Sequence, residues 1–402
     1  MIAPASLADK FTLIVPTYNR TVDLARLMTY LANLHVEFPI LVLDSSEPAA
    51  RRANEDAVNK SGLKIRYETF DTSVLPWEKF WRGSERVRTP YCSICADDDV
   101  ILPASLGPIV QYLEAHADFS VAHGWYFTFY NNAHIGITSS VYRGASLDQG
   151  DPLDRLFALF KNYEAVTYGV YRTEVMQNVL RDVQGLNSLL AKELLGGALA
   201  LSQGKVARLS MIYYGRSLAP SQSYNHWHPL DFLISAPDGL YHDYAIYRKK
   251  LFNCLKTITY DKYPDAELIT LIDLIHFRYL SDYVKPRVME YLTEQMMARK
   301  LKPEIMQGMW SVLAGENDQS IGGALSGSLL LRRIRDRFFP GIKLHHFKRL
   351  SAPAENRTIQ SKTADGKPRE YLFYREFLAS LAGDTEMGSE IRNIVEALDN
   401  YI

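Results

Sequence analysis

Two short runs of apolar residues near the start of the chain constrain its fold most strongly. Residues 11–15 read FTLIV and residues 40–43 read ILVL, and each run lacks a regular polar face. A strand of this kind is buried on both sides, as in a parallel sheet that is covered by helices. Between the runs, Thr21 can cap a helix whose core face includes Leu24, Leu27 and Leu31. The sequence therefore begins with a predicted β-α-β unit.

The same alternation continues to about residue 230. We expect strands at residues 63–68, 91–96, 119–131, 166–171 and 206–213, and the range 119–131 could form either a strand or a hairpin. Helices are expected at residues 76–87, 106–113, 153–160, 173–183 and 187–203. This order predicts an α/β fold with a mixed, mostly parallel sheet flanked by helices, in a domain spanning residues 1–230.

Long helical segments replace this alternation in the second part of the chain. They are predicted at residues 244–257, 265–283, 286–299, 303–313, 371–382 and 389–401, with a polar loop at 351–369. We expect residues 231–402 to form a second, α-helical domain, since 402 residues exceed the length of one ordinary core.

The composition excludes several classes of function. The 45 basic and 46 acidic residues leave a net charge of −1, so nucleic acid is not expected as the main partner. Residues 1–10 lack the features of a signal peptide and no apolar run is long enough to cross a bilayer, which predicts a soluble or at most peripheral protein. The three cysteines do not form a disulfide framework and fit a cytoplasmic location. Cys92 and Cys95 form a C-x-x-C without a second pair, so we expect two buried strand residues that point to opposite faces.

Polar residues follow three of the predicted strands directly. Residues 16–20 read PTYNR, residues 44–46 read DSS, and residues 97–99 are three consecutive aspartates. Three adjacent carboxylates repel one another, but a divalent cation such as Mg²⁺ or Mn²⁺ neutralises them. Strand ends in such a sheet converge on one cleft, for which a nucleotide is the natural occupant. Asp44 would then accept from the base or ribose, and Arg20 or Lys79 would reach a phosphate.

Together these motifs resemble a known family. The stretches LIVPTYNR (residues 13–20), LDSS (43–46) and the aspartate run before Pro103 are similar to the nucleotide-diphospho-sugar domain of family 2 glycosyltransferases, which have the inverting GT-A fold. The resemblance implies a nucleotide-diphospho-sugar donor, a divalent cation and a glycan or lipid-linked acceptor. It assigns donor binding to a set of residues at the strand ends, namely Pro16, Thr17, Tyr18, Arg20, Asp44, Ser45, Lys79, Asp97 and Asp98.

The resemblance also implies metal ligands and a general base. Asp97 and Asp99 would bind the cation, although the run is preceded by Ala96 and the register leaves open which two of the three aspartates do so. His226 and His228 would complete the metal site, and only one of them can face it if the segment is extended. The family places a base, often in a Glu-Asp pair, where this chain has Glu193 followed by Leu194. Glu164 and Glu174 are rival carboxylates.

Two other functions stay open at this point. A sugar nucleotidyltransferase uses a similar sheet, but it needs a glycine-rich phosphate loop that residues 16–19 do not provide. A nucleotide-sugar-binding protein without transferase activity is the other alternative, because Leu194 replaces the second acid. The family resemblance suggests surface polysaccharide or glycolipid assembly. Residues 329–350 are basic and apolar, which favours either a peripheral membrane contact at the inner face or a solvated amphipathic helix.

Overall fold

A computed structural model describes residues 7–131, 135–142, 144–217, 237–260 and 262–279. A 3₁₀ helix at Leu7–Asp9 precedes the first strand. The strands are β1 (Phe11–Thr17), β2 (Ile40–Asp44), β3 (Ile65–Thr69), β4 (Tyr91–Ile94), β5 (Val100–Ile101), β6 (Phe119–Asn131), β7 (Ile135–Val141), β8 (Val170–Arg172) and β9 (Lys205–Ser217). The helices are α1 (Thr21–Asn33), α2 (Pro48–Lys60), α3 (Pro76–Ser84), α4 (Pro103–Ala115), α5 (Pro152–Lys161), α6 (Thr173–Asp182), α7 (Leu189–Gln203), α8 (Pro237–Ile258) and α9 (Asp265–Tyr279).

The described strands form one mixed sheet in the order β3-β2-β1-β4-β8-β6-β9-β5, with β7 paired to β6. The four strands from β3 to β4 run parallel, and so do β6 and β9. Strand β8 is antiparallel to both of its neighbours, and β5 is antiparallel to β9. The predicted mixed sheet with flanking helices is therefore confirmed, and its parallel part places the ends of β1, β2 and β4 at one edge.

Apolar side chains cover both faces of this sheet. In β1, Phe11, Leu13 and Val15 join one buried cluster with α1 and α4, whereas Ile14 joins a second cluster with α3 and α5 to α9. This alternation confirms that β1 is buried on both faces, because successive strand residues point to opposite sides. Cys92 and Cys95 likewise belong to opposite clusters, and both are free thiols.

Some local predictions differ from the structure. The charged segment at residues 51–60 belongs to helix α2, in which Pro48 occupies the first turn and Asn54 and Val58 are the buried residues. A surface helix needs only a narrow buried stripe, so the sequence of α2 shows no broad apolar face that would predict a helix. Strand β4 ends at Ile94, because residues 97–99 form a turn before β5, which the sequence did not indicate.

Helices α8 and α9 pack against the α/β part of the chain. Tyr247, Leu251 and Leu255 of α8 share a buried cluster with Leu195 and Leu199 of α7. The domain boundary at residue 230 stays a prediction, since residues 218–236 and 280–402 lie outside the described part of the chain. The predicted helices beyond 283, the polar loop at 351–369 and the basic segment at 329–350 lie there too. None of the described helices is both long enough and apolar enough to cross a membrane.

Candidate functional site

A cavity of about 210 Å³ lies at the carboxyl ends of β1 and β4. The register places Ile94, the last residue of β4, beside Ile14 of β1, so residues 96–99 continue next to the end of β1. Helix α3 and the start of α7 form the opposite wall. The residues that line the cavity are Pro16, Thr17, Tyr18, Arg20, Pro76, Trp77, Lys79, Phe80, Ala96, Asp97, Asp98, Asp99, Thr167, Tyr168, Leu189, Arg216 and Ser217.

Arg20 neutralises part of the aspartate run. Its Nη1 lies 2.6 Å from Asp98 Oδ2 and 3.2 Å from Asp97 Oδ1. Arg20 follows β1 directly, whereas the aspartates follow β4, so the pairing depends on the parallel neighbourhood of these two strands. The structure thus brings together two clusters that the sequence places 77 residues apart.

Strand β9 holds the third aspartate. Asp99 Oδ2 accepts a hydrogen bond from the Tyr214 hydroxyl at 2.8 Å, and Oδ1 accepts one from the Ser217 backbone N–H at 2.7 Å. Asp99 is 5% exposed, so these donors replace the water that the carboxylate loses on burial. Each oxygen keeps a further lone pair, and Asp99 still lines the cavity.

Burial and mutual repulsion disfavour full ionisation of the aspartate run. Burial raises the pKa of Asp97 to about 7, the charge of Asp98 adds to this increase, and Arg20 opposes it. Burial and the charge of Asp98 also raise the pKa of Asp99 to about 7, against the charge of Arg216. A cation next to these carboxylates would favour their ionised form.

The donor set fits a divalent cation in part. Asp97 Oδ2 is buried and makes no hydrogen bond of standard geometry, although the nearby Thr17 side chain lowers the pKa of Asp97, so this oxygen could still accept a ligand. Thr17 Oγ1, also in the cavity wall, is buried without a partner as well. Within the described residues, no group of three histidine, cysteine, aspartate or glutamate side chains is arranged to hold a metal. Further ligands would have to come from the substrate or from other residues, and His226 and His228 lie outside the described part.

Lys79, Asp44 and Ser45 lie at the same edge of the sheet, but they make mainly internal contacts. Lys79 Nζ donates to the Thr17 carbonyl oxygen at 2.7 Å and to Ser45 Oγ at 2.8 Å, which ties β1 to β2. Burial lowers the pKa of Lys79 to about 8, although Asp97 and Asp44 oppose this shift. Lys79 lines the cavity, whereas the fully buried Asp44 and Ser45 do not.

The Asp44 carboxylate is surrounded by donors from its own part of the chain. Oδ1 accepts from the Ser46 backbone N–H at 2.6 Å, and Oδ2 accepts from Asn54 Nδ2 at 2.8 Å and from the Tyr67 hydroxyl. Burial favours the neutral acid, but these hydrogen bonds lower the pKa of Asp44. The residue therefore stabilises the end of β2 directly.

Glu193 lies on α7, one turn beyond the cavity-lining Leu189 and on the same helix face. It is 7% exposed, and its Oε1 accepts a hydrogen bond from the Tyr163 hydroxyl at 3.0 Å. Burial raises the pKa of Glu193, which the charge of Arg216 and the hydrogen bond from Tyr163 oppose. Glu193 thus stands behind the cavity wall, with its basicity increased.

The rival carboxylates have other surroundings. Glu164 Oε2 lies 3.2 Å from Arg208 Nη1, and the Glu164 carboxylate accepts from the Gly144 backbone N–H. Glu174 is exposed in the first turn of α6. Neither residue lines the cavity.

Several residues of the cavity wall have no site role in the sequence analysis above. Arg216 lies near the end of β9 and donates to the Tyr142 hydroxyl at 3.1 Å. Its position near a strand end was the available signal, although β9 contains two other basic residues, Lys205 and Arg208. Trp77 and Tyr168 both line the cavity and also pack against the apolar core.

Residues 12–184 match the sequence model of the family described as "Glycosyl transferase family 2". No curated protein matches the chain in sequence. Among solved structures, the chain is similar to S. aureus TarS 1-349 in complex with UDP-GlcNAc, with 17% identity and a TM-score of 0.49 over 82% of this chain and 88% of that chain. It is also similar to the mannosyltransferase PcManGT from Pyrobaculum calidifontis in complex with GDP-Man and Mn2+, with 12% identity and a TM-score of 0.39 over 83% and 88% of the two chains.

Proposed function

We propose, on the premise that residues 12–184 form a glycosyl transferase family 2 domain, that the protein moves a sugar from a nucleotide diphosphate to an acceptor hydroxyl in a metal-dependent, inverting reaction. The match of residues 12–184 to this family supports a glycosyltransferase that uses a nucleotide sugar. One observation supports the finer proposal above all others. The same cavity joins the acidic turn at residues 97–99 to three cationic side chains, Arg20, Lys79 and Arg216.

Donor binding is proposed for the end of β1 and the acidic turn. Pro16, Thr17 and Tyr18 would contact the nucleoside, and Arg20 or Lys79 would balance the charge of the diphosphate. Asp44 and Ser45 were expected to contact the nucleoside as well. Both residues are buried and do not line the cavity. We therefore propose that they contribute indirectly, by holding Lys79 in place through its hydrogen bond to Ser45.

Asp97 and Asp99 are the proposed ligands of a Mg²⁺ or Mn²⁺ ion, with His226 or His228 as candidates for a further ligand. The unpaired Oδ2 of Asp97 supports this assignment, and the remaining lone pairs of Asp99 permit it. When bound, such a cation acts as a Lewis acid that stabilises the departing nucleoside diphosphate. Arg20 balances the charge of Asp98 at the same time.

Glu193 is the proposed general base. A carboxylate whose pKa is raised by burial is better able to take a proton from a hydroxyl near neutral pH. Because Glu193 lies one turn beyond the cavity-lining Leu189, the acceptor hydroxyl would approach along the α7 wall of the cavity. A single displacement from that side, opposite the leaving diphosphate, would invert the anomeric centre, by analogy with glycoside chemistry.

The cellular setting is proposed from the family resemblance and the composition. We propose a cytoplasmic enzyme of surface polysaccharide or glycolipid assembly with a glycan or lipid-linked acceptor, which contacts the inner face of the membrane through residues 329–350. Flotation of the full chain with anionic liposomes at low salt tests the contact. Recovery only in the bottom fraction would contradict it.

The proposed reaction is tested with a panel of nucleotide sugars, with Mn²⁺, Mg²⁺ or EDTA and with hydroxyl acceptors. We expect release of nucleoside diphosphate with one donor class, its loss in EDTA, and its loss in Asp97→Asn and Asp99→Asn. Asp118→Asn is the matched control, because Asp118 is a surface carboxylate paired with Lys205 outside the cavity. Wild-type activity in Asp97→Asn would refute the site, and donor binding without turnover would refute the transferase.

The stereochemical proposal has its own measurement. The anomeric proton coupling of the product, followed by NMR from the start of the reaction, distinguishes inversion from retention. Glu193→Gln should bind the donor like the wild type and transfer sugar at least about 100-fold more slowly, within the range typical of a lost general base.

A further inference from the structure

The loop between α6 and α7, residues 183–188, connects the helical part of the chain to the cavity. It leads directly into Leu189, which lines the cavity, and into the helix that carries Glu193. Any displacement of this loop would move the proposed base relative to the bound donor. The contacts that fix the loop therefore bear on the reaction.

The side chain of Asp243 in α8 binds backbone N–H groups at the end of this loop. The Asn187 N–H lies 3.0 Å from both Asp243 carboxylate oxygens, and the Ser188 N–H donates to Oδ2 at 2.6 Å. Asp243 is 1% exposed, and the charge of the buried Lys192 lies nearby on α7. Hydrogen bonds from N–H groups to an ionised carboxylate are roughly twice as strong as those between neutral groups.

Lys250, two helical turns further along α8, holds the start of the same loop. Its Nζ donates to the Asp182 carbonyl oxygen and, at 2.7 Å, to the Gln184 carbonyl oxygen. An acidic side chain therefore binds N–H groups at one end of the loop, and a basic side chain binds carbonyl groups at the other. Asp243 and Lys250 are seven residues apart on one face of α8, so this helix binds the loop at both of its ends.

The other side of the loop contacts the cavity wall. Gln184 Nε2 donates to the Trp77 carbonyl oxygen at 3.1 Å, and Trp77 lines the cavity. Ser188 caps α7, since its Oγ accepts from the Ala191 N–H at 3.2 Å. Support from α8 is thus transmitted to two walls of the cavity, the aromatic wall of α3 and the start of α7.

We propose that Asp243 and Lys250 are positioning residues, through which α8 fixes Trp77, Leu189 and Glu193 relative to the bound donor. The proposal rests on the proposed function, because it assumes transfer at this cavity with Glu193 as base. It assigns to the helical part of the chain a role in the geometry of the reaction. The proposed nucleotide-binding residues of β1 and of the acidic turn belong to other elements of the fold than this loop.

The expected effect is a loss of kcat with donor affinity retained. Asp243→Asn keeps the size of the side chain but places an amide against N–H groups, and Lys250→Met removes both bonds to the loop carbonyls. A misplacement of about 1 Å can cost on the order of 100-fold in rate, so we expect kcat to fall about 10- to 100-fold. The Kd of the donor should stay within about twofold of the wild-type value, since its proposed ligands are untouched.

Asp273→Asn is the matched control. Asp273 of α9 also accepts hydrogen bonds within the helical part, from Tyr244 and from Arg248 Nη1 at 2.9 Å, but it does not contact the loop. Hydrogen exchange of the peptide that covers residues 183–193 is measured in parallel on the full chain. We expect faster exchange there in Asp243→Asn and Lys250→Met, and wild-type exchange in Asp273→Asn.

The two measurements separate the possible failures. Wild-type exchange in both loop variants, or wild-type kcat despite faster exchange, would overturn the positioning role. Equal loss of kcat in Asp273→Asn would overturn it too, since the effect would then be one of general stability. If the wild type transfers no sugar, the proposed function fails. The exchange data then still decide whether α8 fixes the loop. Lys250→Met provides the same test if Asp243→Asn does not fold.

Discussion

His123 makes the stability of the protein depend on pH in a way that the structure allows us to calculate. The residue is fully buried on β6, directly across from Arg208 of β9. Its Nδ1 lies 2.8 Å from the Gly124 carbonyl oxygen, and its Nε2 has no hydrogen-bond partner. Burial lowers the pKa of His123 from 6.5 to about 4, and the charge of Arg208 lowers it further than the Gly124 carbonyl raises it.

The sign follows from where the proton binds. Between pH 6.5 and about 4 the unfolded chain binds a proton at this imidazole and the folded chain does not. Protonation therefore favours the unfolded state, and the free energy of unfolding falls as the pH falls. With these two pKa values, the titration of His123 lowers the free energy of unfolding by less than about 0.1 kcal/mol at pH 7.5 and by about 2 kcal/mol at pH 5.

Urea unfolding of the wild type and of His123→Gln at pH 7.5 and pH 5, followed by tryptophan fluorescence, measures this loss. The variant lacks the titration, so the difference in unfolding free energy between the two proteins should shift by about 2 kcal/mol in favour of the variant. His276→Gln provides a second case, since burial lowers the pKa of His276 to about 4 against the opposing charge of Asp273. A wild type and a His123→Gln variant that respond to pH in parallel would refute the reasoning.

Three further predictions concern the edge of the sheet at the cavity. Tyr67→Phe removes one donor from the buried Asp44 carboxylate, and we expect urea unfolding at pH 7 to show a loss of about 1.5–3 kcal/mol. Gly215→Ala would place a Cβ 2.3 Å from a phenylalanine ring of β6, so calorimetry should show a destabilisation of about 1–3 kcal/mol. Asp98→Asn should weaken the donor-dependent rise in melting temperature less than Asp97→Asn does, because Asp98 is the carboxylate that Arg20 pairs at 2.6 Å. An equal or larger effect of Asp98→Asn would contradict this order.

The parallel half of the fold could be predicted because its signals are local. The apolar runs form strands of seven residues in β1 and five residues in β2, and polar residues follow each run directly. Parallel strands put such ends at one edge, so the proximity of residues 16–20 to the aspartate run followed from the order of the strands. The antiparallel pairing of β8 with β4 and β6 could not be predicted in the same way, because strand direction depends on how the chain crosses the sheet.

The environment of each polar residue could not be predicted from the same signals. Asp44 and Asp97 both follow apolar strands, and the local sequence does not show which of the two carboxylates will be enclosed by donors from the protein. Asp44 is enclosed because Asn54 and Tyr67, which are 10 and 23 residues further along the chain, donate to its oxygen. Asp97 lines the cavity, and its Oδ2 is buried without a hydrogen bond. The difference arises from tertiary contacts, which a pattern of residue types does not specify.

The three aspartates illustrate how a fold gives different environments to identical neighbours. Asp98 Oδ2 and Asp97 Oδ1 lie against Arg20, which follows the end of β1, and both oxygens of Asp99 accept from donors that β9 supplies. Only Asp97 among the three has a buried oxygen without a hydrogen bond. Removing three charges from water at one turn would be costly without such partners, so Arg20 and β9 offset part of that cost. A bound cation would therefore offset most of the remaining cost of burial at Asp97 Oδ2.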